Sequence, residues 1–345
     1  MASGEQHTET ILSLFLRKAT EAPKATAMLS YHGHDPGNYC DEISRVRLLS
    51  IAKSIVAAIE SATSTRGVRI DGPIALCFKN STVGSIAGMF ASLHMQQLFL
   101  PIDASERLES WCTLLDEIGC TVVVCDRESS SAARDLARAR FVVNVDDVVA
   151  AKTFDENLVA NWAQKESLRT ESDDIIFIMH TSGSTGVPKY VKCTQSGTIN
   201  RVDWATKRHP WKDTDICIAK TSLAFIDHIA ECFAPLIGGV PLVVGAAQTS
   251  EGMPVAAKNW RDPCELVEAC QRCAVTRLVV TPSLLRELLH ANAFGNDPRN
   301  DASTCGAPLS TLLFAHCSGE ALTWSLANEV VRVASRGFTL LNLCK

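Results

Sequence analysis

The sequence predicts an α/β protein of layered, mostly parallel sheets flanked by helices, and three observations carry that expectation. Short apolar, β-rich runs alternate with helix-like stretches over nearly the whole length. At 345 residues, 46% of them hydrophobic and 21% charged, the chain can bury a substantial core and has a globular composition. It contains no internal repeat or low-complexity tract, which argues against a solenoid or a disordered tail.

In chain order, the apolar period over 46–59 reads as an amphipathic helix, and 74–78 as a buried strand. A strand at 99–102 runs into Asp103, a reasonable N-cap for a helix over 105–118. Strands follow at 121–125, 141–145 and 175–179. The polar stretch 151–174 is the best internal boundary, dividing the chain into a first α/β subdomain, 1–165, and a second, 166–345. Beyond it come strands at 216–219, 241–244, 277–280 and 311–315, and a helix at 282–290 that opens on Pro282.

Composition narrows the function classes. The 33 basic and 38 acidic residues leave a net charge of −5 with no basic run, so nucleic acid is not an expected partner. The N-terminus lacks the basic and apolar regions of a signal peptide. The most apolar stretch, 233–247, is too short for a membrane span and holds Pro235, Gly238, Gly239 and Pro241. These features point to a soluble protein in a reducing, cytoplasmic compartment. The 14 cysteines are then expected to be mostly buried thiols. Cys270-Gln271-Arg272-Cys273 is a lone C-x-x-C without the second pair that a zinc site needs.

One run carries chemistry more clearly than any other: Thr181-Ser182-Gly183-Ser184-Thr185-Gly186-Val187-Pro188-Lys189, directly after the apolar strand Ile175-Ile176-Phe177-Ile178-Met179. Such a loop can aim backbone N–H groups, hydroxyls and one cation at the oxygens of a polyphosphate. Its glycines allow close approach of the backbone to an anion. The Walker A pattern does not fit, because Val187-Pro188 separates Gly186 from Lys189 and Tyr190 stands where a metal-binding hydroxyl would be.

The run closely resembles the signature of the adenylate-forming superfamily: acyl-CoA synthetases, non-ribosomal peptide synthetase adenylation domains and luciferases. The resemblance implies that the loop grips the β- and γ-phosphates of ATP while a substrate carboxylate attacks the α-phosphorus, giving an acyl-adenylate and pyrophosphate. Thr181, Ser182, Gly183, Ser184, Thr185, Gly186 and Lys189 are then the phosphate-binding residues. Tyr190 replaces the family's usual glycine, a bulk expected to restrict loop motion.

Other segments resemble the family in the family's order. Phe99-Leu100-Pro101-Ile102-Asp103 with Glu106-Arg107-Leu108 is similar to its second segment. Phe225-Ile226-Asp227-His228-Ile229-Ala230-Glu231 resembles the wall of the carboxylate pocket, which implies Asp227, His228 and Glu231 as substrate-binding residues. Amino-acid-activating members place an aspartate directly after the phenylalanine to pair with the α-ammonium. Here that position is Ile226, and the offset to Asp227 suits a plain acyl group or an amine further from the carboxylate. Thr281-Pro282-Ser283 resembles the family's strand-to-helix junction, and Ser318-Gly319-Glu320 its turn against adenine. Lys220-Thr221-Ser222 leading into Phe225 looks most like the β-alanine-activating and plant acyl-activating-enzyme-19 branch.

The family's Asn-x-Tyr-Gly-x-Thr-Glu segment belongs at the end of this sequence, where Leu341-Asn342-Leu343-Cys344-Lys345 fits only at Asn342 and Leu343. The expected fold is therefore the N-terminal portion of the adenylate-forming enzyme, with the C-terminal lid domain and its catalytic lysine absent. No catalytic or metal-ligating residue is assigned. The complete relative is expected to activate a small carboxylic acid with ATP and Mg2+ and to pass the acyl group to CoA or to the phosphopantetheine arm of a carrier domain. The chain alone is expected to be inactive. The alternative is a non-catalytic, truncated product that binds nucleotide weakly or associates with the full-length enzyme.

Overall fold

The computed structural model describes residues 9–35, 38–65, 67, 69–70, 72–106, 109–137, 140–149, 157–166, 174–181, 189–246, 260–294 and 309–343. The described strands are β1 (Thr26–Asp35), β2 (Asn38–Ser44), β3 (Ile74–Phe78), β4 (Phe99–Asp103), β5 (Val122–Cys125), β6 (Phe141–Asn144) and β7 (Ile175–Thr181). They continue with β8 (Lys189–Thr194), β9 (Cys217–Ile218), β10 (Leu242–Gly245), β11 (Arg277–Val280), β12 (Phe314–Cys317) and β13 (Thr339–Asn342). The helices are α1 (Ile11–Glu21), α2 (Arg45–Ser64), α3 (Val83–His94), α4 (Glu109–Glu117), α5 (Ser130–Ala137) and α6 (Val145–Val149). After them come α7 (Leu158–Glu166), α8 (Gln195–Arg208), α9 (Ile226–Gly238), α10 (Pro263–Arg272), α11 (Pro282–His290) and α12 (Trp324–Val333).

One sheet runs β13-β12-β11-β9-β10-β1-β2 and the other β6-β5-β3-β4-β7-β8. Neighbours are parallel except in the edge pairs β1–β2 and β7–β8. The expected α/β class with mostly parallel layers is the fold observed. Chain on either side of residue 165 supplies strands to both sheets, since β1 and β2 lie with β9–β13, and β7 and β8 with β3–β6.

Strand alternation produces the layers. Ile74, Leu76 and Phe78 of β3 point into a central core, while Ala75 and Cys77 point to the opposite face. Both faces are apolar, as parallel strands covered on two sides require. Helices α1, α2, α3 and α9 fill the space between the sheets. There Phe90 stacks on Phe15 at 4.6 Å and meets Phe233 edge-on at 5.7 Å, joining three helices. Helices α4 and α5 cover the outer face of the second sheet, and α10, α11 and α12 that of the first.

Several expected boundaries move for local reasons. The helix expected at 46–59 runs from Arg45 to Ser64, because the Ser44 hydroxyl caps it and Thr63 Oγ1 bonds back to the Ile59 carbonyl at 2.9 Å. The helix expected from residue 105 begins at Glu109, and Asp103 is not its cap. The Asp103 carboxylate instead holds a turn, accepting from the Ser105 N–H at 2.9 Å. The strand expected at 311–315 is Phe314–Cys317, because the Thr311 hydroxyl is spent on the Val275 carbonyl at 2.9 Å in the approach to the sheet.

Candidate functional site

The motif segments follow the carboxyl ends of β4 and β7 in one sheet and of β9, β11 and β12 in the other, the ends at which open α/β sheets place ligands. Strands β7 and β8 pair antiparallel with Thr181 opposite Lys189, so the two ends of the phosphate-loop motif are neighbours in the sheet. Ser182, Gly183, Ser184, Thr185 and Gly186 lie outside the described residues. Lys189 is exposed at the head of β8. Tyr190 follows within the strand, its ring 5.7 Å from that of His180 directly across, so its bulk belongs to the hairpin.

Helix α9 builds the neighbouring wall. Its N-cap is Phe225, which supplies no side-chain hydrogen bond, so Asp227 and His228 do not serve as caps. Asp227 lies in the first turn, near the positive end of the helix dipole. The Ser318 hydroxyl donates to its Oδ2 at 2.6 Å, and Arg201 Nη2 stands 3.8 Å from its Oδ1. Ile226, directly after the phenylalanine, is 55% exposed.

Asp227 helps line a cavity of about 50 Å³ with Arg201, Trp211, Ala230, Arg277 and His316. At roughly 10–15 Å³ per water-sized probe, that volume holds a ligand of only a few heavy atoms. Arg277 and His316 share a face because β11 and β12 are in parallel register, Val279 opposite His316, while Leu278, Val280, Ala315 and Cys317 pack on the far side. Burial pushes the His316 imidazole down to about 4, with His209, Arg277 and Arg201 adding to the effect. Its Nε2 and the Arg277 Nε have no hydrogen-bond partner among the described residues. The rest of Arg277 is anchored: Nη2 lies 2.6 Å from the buried Asp215, and Nη1 donates to the His209 carbonyl at 2.8 Å.

Glu231 also lines this cavity, whereas His228 does not. Glu231 is buried and accepts from the Thr221 N–H at 2.8 Å and the Thr221 hydroxyl at 3.1 Å. Burial raises its carboxyl to about 7, against the pull of Lys220 and the Thr221 bonds. His228 Nδ1 donates to the Thr221 carbonyl at 3.1 Å and lies 3.3 Å from the Ser81 hydroxyl. Burial lowers its imidazole to about 4, so the ring is neutral at pH 7. The two side chains thus fix segment 220–222. That segment also walls a polar cavity of about 230 Å³ with Lys79, Asp103 and Arg261, where the Ser222 hydroxyl donates to Asp103 Oδ2 at 2.5 Å.

Ser318, Gly319 and Glu320 follow β12. The Ser318 N–H bonds to the Val280 carbonyl at 2.9 Å, and Gly319 takes φ +85°, a left-handed value that would strain any Cβ. Ser283 donates to Glu320 Oε2 at 2.6 Å, tying this turn to the Thr281-capped start of α11. The fold therefore brings Ser318 to Asp227 across 91 residues of chain. Arg201, Arg277 and His316 lie in no local motif; strand register places Arg277 and His316 in the cavity, and the packing of helix α8 places Arg201 there.

Among the described residues no helix is long and apolar enough to cross a membrane. The family model described as AMP-binding enzyme matches residues 52–342. The beta-alanyl-bioamine nonribosomal peptide synthetase ebony of Drosophila melanogaster is 30% identical over 261 residues, 74% of this chain and 27% of that protein. Tyrocidine synthase 3 of Brevibacillus parabrevis is 24% identical over 82% of this chain and 4% of its own length. The chain thus spans a small part of the curated relatives it matches. In fold, it superimposes on the nonribosomal peptide synthetase FmoA3 with TM-score 0.71 at 21% identity, covering 97% of this chain and 31% of that one. VinN in complex with L-aspartate gives TM-score 0.69 at 17% identity, covering 97% and 75%.

Proposed function

This chain belongs to the AMP-binding enzyme family, and from that premise we propose that it supplies the phosphate loop, acid pocket and adenine-facing turn of an ATP-dependent acid-activating ligase. The proposed substrate is a short carboxylic acid carrying an amine beyond the α-carbon, as in β-alanine. The observation that carries this reading is the position of Asp227, which faces a cavity of about 50 Å³ while the residue after Phe225 is the exposed Ile226. An ammonium bound at Asp227 would be matched by the Ser318-held carboxylate, and a cavity of that volume suits a small acid. The similarity to ebony, a beta-alanyl-bioamine nonribosomal peptide synthetase, supports the same class.

In this reading ATP enters as its magnesium complex. Thr181, Ser182, Gly183, Ser184, Thr185, Gly186 and Lys189 hold the β- and γ-phosphates, and the donor set of hydroxyls, glycine N–H groups and one cation suits them. Ser318, Gly319 and Glu320 lie beside adenine, and the Gly319 backbone leaves room for a flat base. The substrate carboxylate attacks the α-phosphorus, an O–P bond forms, and pyrophosphate leaves. The chain's own contribution is alignment and electrostatic neutralisation rather than proton transfer. The acyl-adenylate is then consumed by a thiol, of CoA or of a carrier domain's phosphopantetheine.

The test, made on the complete protein that carries this segment, is acid-dependent exchange of labelled pyrophosphate into ATP across β-alanine, α-alanine, aspartate and propionate. Exchange greatest with β-alanine and abolished by Lys189→Ala is expected. Protection from proteolysis by ATP with no exchange for any acid would overturn the ligase reading in favour of a non-catalytic nucleotide binder.

A further inference from the structure

Cys273 closes the C-x-x-C run, but its sulfur partner lies elsewhere. Its Sγ stands 3.0 Å from that of Cys40, 233 residues away, whereas Cys270 is fully buried in the core beneath. Cys40 lies on the edge strand β2, opposite Tyr31 of β1, and Cys273 is the C-cap of α10. The contact therefore joins the β1–β2 hairpin to the helix that leads into β11.

Three features mark this pair. The sulfurs are closer than ordinary non-bonded contact, and closing to the roughly 2 Å of a disulfide needs a shift of only about 1 Å. Cys40, like Cys193, is half-buried, whereas Cys77, Cys125 and Cys270 are buried. The contact with Cys273 also lowers the Cys40 thiol while the Cys273 thiol is raised, so Cys40 is the more readily deprotonated of the two. Burial instead pushes Cys125 and Cys270 up to about 12. The Arg272 guanidinium, 3.9 Å over the Tyr39 ring, adds a positive charge beside the pair, while Asp41 and Glu42 oppose it.

We propose that Cys40 and Cys273 form a reversible, peroxide-driven disulfide that pins the edge hairpin to the end of α10. The Cys40 thiolate attacks one oxygen of hydrogen peroxide. An S–O bond forms, the O–O bond breaks, and hydroxide leaves to be protonated to water. The Cys273 sulfur then attacks the Cys40 sulfenic sulfur; the S–S bond forms, the S–O bond breaks, and the thiol proton departs with the hydroxide as a second water. Two thiols are oxidised and one peroxide is reduced to two waters. Reduction by a dithiol reverses the bond by exchange through the half-exposed Cys40 sulfur.

The experiment is non-reducing peptide mapping of the whole reduced chain after brief hydrogen peroxide treatment and alkylation. Expected is a Cys40–Cys273 linked peptide, formed roughly tenfold or more faster than any modification of Cys77 or Cys125, and lost on addition of dithiothreitol. Cys273→Ser should leave Cys40 as a sulfenic acid trapped by dimedone, and Cys40→Ser should leave Cys273 unmodified. Recovery of both residues as separately alkylated thiols overturns the proposal. So does Cys40 over-oxidised to the sulfinic acid beside an intact Cys273 in the wild-type chain, a result that needs no variant to fold.

Discussion

Asp227 and Glu231 stand one helical turn apart on α9, and their surroundings give them opposite roles. Glu231 is saturated from within: the Thr221 N–H and hydroxyl both donate to it, and burial holds its carboxyl up at about 7. Both carboxylates line the same cavity, but Asp227 is held loosely, by one hydroxyl and by an arginine 3.8 Å away. A carboxylate whose partners come from its own fold secures the chain. One with unspent acceptor capacity facing a cavity is suited to a ligand. Motif position alone does not separate them, because both belong to the same seven-residue segment from Phe225 to Glu231.

Removing the charge from Asp227 should produce the largest effect and is the sharpest way to break this contrast. Asp227→Asn keeps an acceptor for Ser318, so the change in unfolding free energy should stay within about 1 kcal/mol. Under the proposed function, kcat/KM for exchange with β-alanine should fall on the order of 100-fold or more, because the substrate ammonium would lose its counter-charge in a confined site. Propionate, with no amine, should be affected far less. An equal loss for both acids would mean that Asp227 acts on the fold or on the nucleotide and not on an amine.

Glu231→Ala should show the reverse pattern. The Thr221 N–H and hydroxyl lose their acceptor inside the protein, at a cost of about 2–3 kcal/mol in urea unfolding. The relative preference among acids should survive in whatever fraction stays folded. If this variant instead kept full stability and changed acid preference, the roles of the two carboxylates would be exchanged.

The sequence made the layers legible but not the site's floor. Continuous apolar runs such as Ile74–Phe78 are buried on both faces, and their pattern identifies them without help. The hairpin Thr26–Asp35 with Asn38–Ser44 is not legible in the sequence because the polar Ser30 and His32 occupy buried positions, although β1 lies between β2 and β10. Asp227 and Ser318 were each legible as motif residues, yet their contact spans 91 positions and only the fold supplies it. His316 and Arg277 read as ordinary strand residues, and it is parallel register that turns both toward the cavity.

A pH titration sharpens the comparison further. For Glu231 the folded carboxyl is raised from 4.5 to about 7, so the folded state binds more protons than the unfolded one between those values. Its contribution to stability is therefore fully present below pH 4.5 and is lost as pH rises through about 7. His228, lowered from 6.5 to about 4, acts in the opposite sense, so the wild-type profile alone would be ambiguous. Glu231→Gln isolates the carboxyl. The stability of the variant relative to wild type should rise between pH 4.5 and 7.5, by up to about 3 kcal/mol, in thermal or urea unfolding. A pH-independent difference would mean that Glu231 is not held neutral by burial.

The smallest expected effect concerns the hydroxyl that, under the proposed function, links the acid pocket to the adenine-facing turn. Ser318 belongs to the turn, and its side chain donates to Asp227 at 2.6 Å while its backbone N–H is paired with the Val280 carbonyl. Ser318→Ala removes the first bond and leaves the second, so the turn and the left-handed Gly319 after it keep their shape. Asp227 would retain the Arg201 charge at 3.8 Å, but one orienting donor would be lost, a change worth about 1 kcal/mol. The KM for β-alanine should then rise roughly five-fold with the KM for ATP unchanged. A rise confined to ATP would instead assign the Ser318 hydroxyl to the nucleotide, and Asp227 would lose its link to the acid.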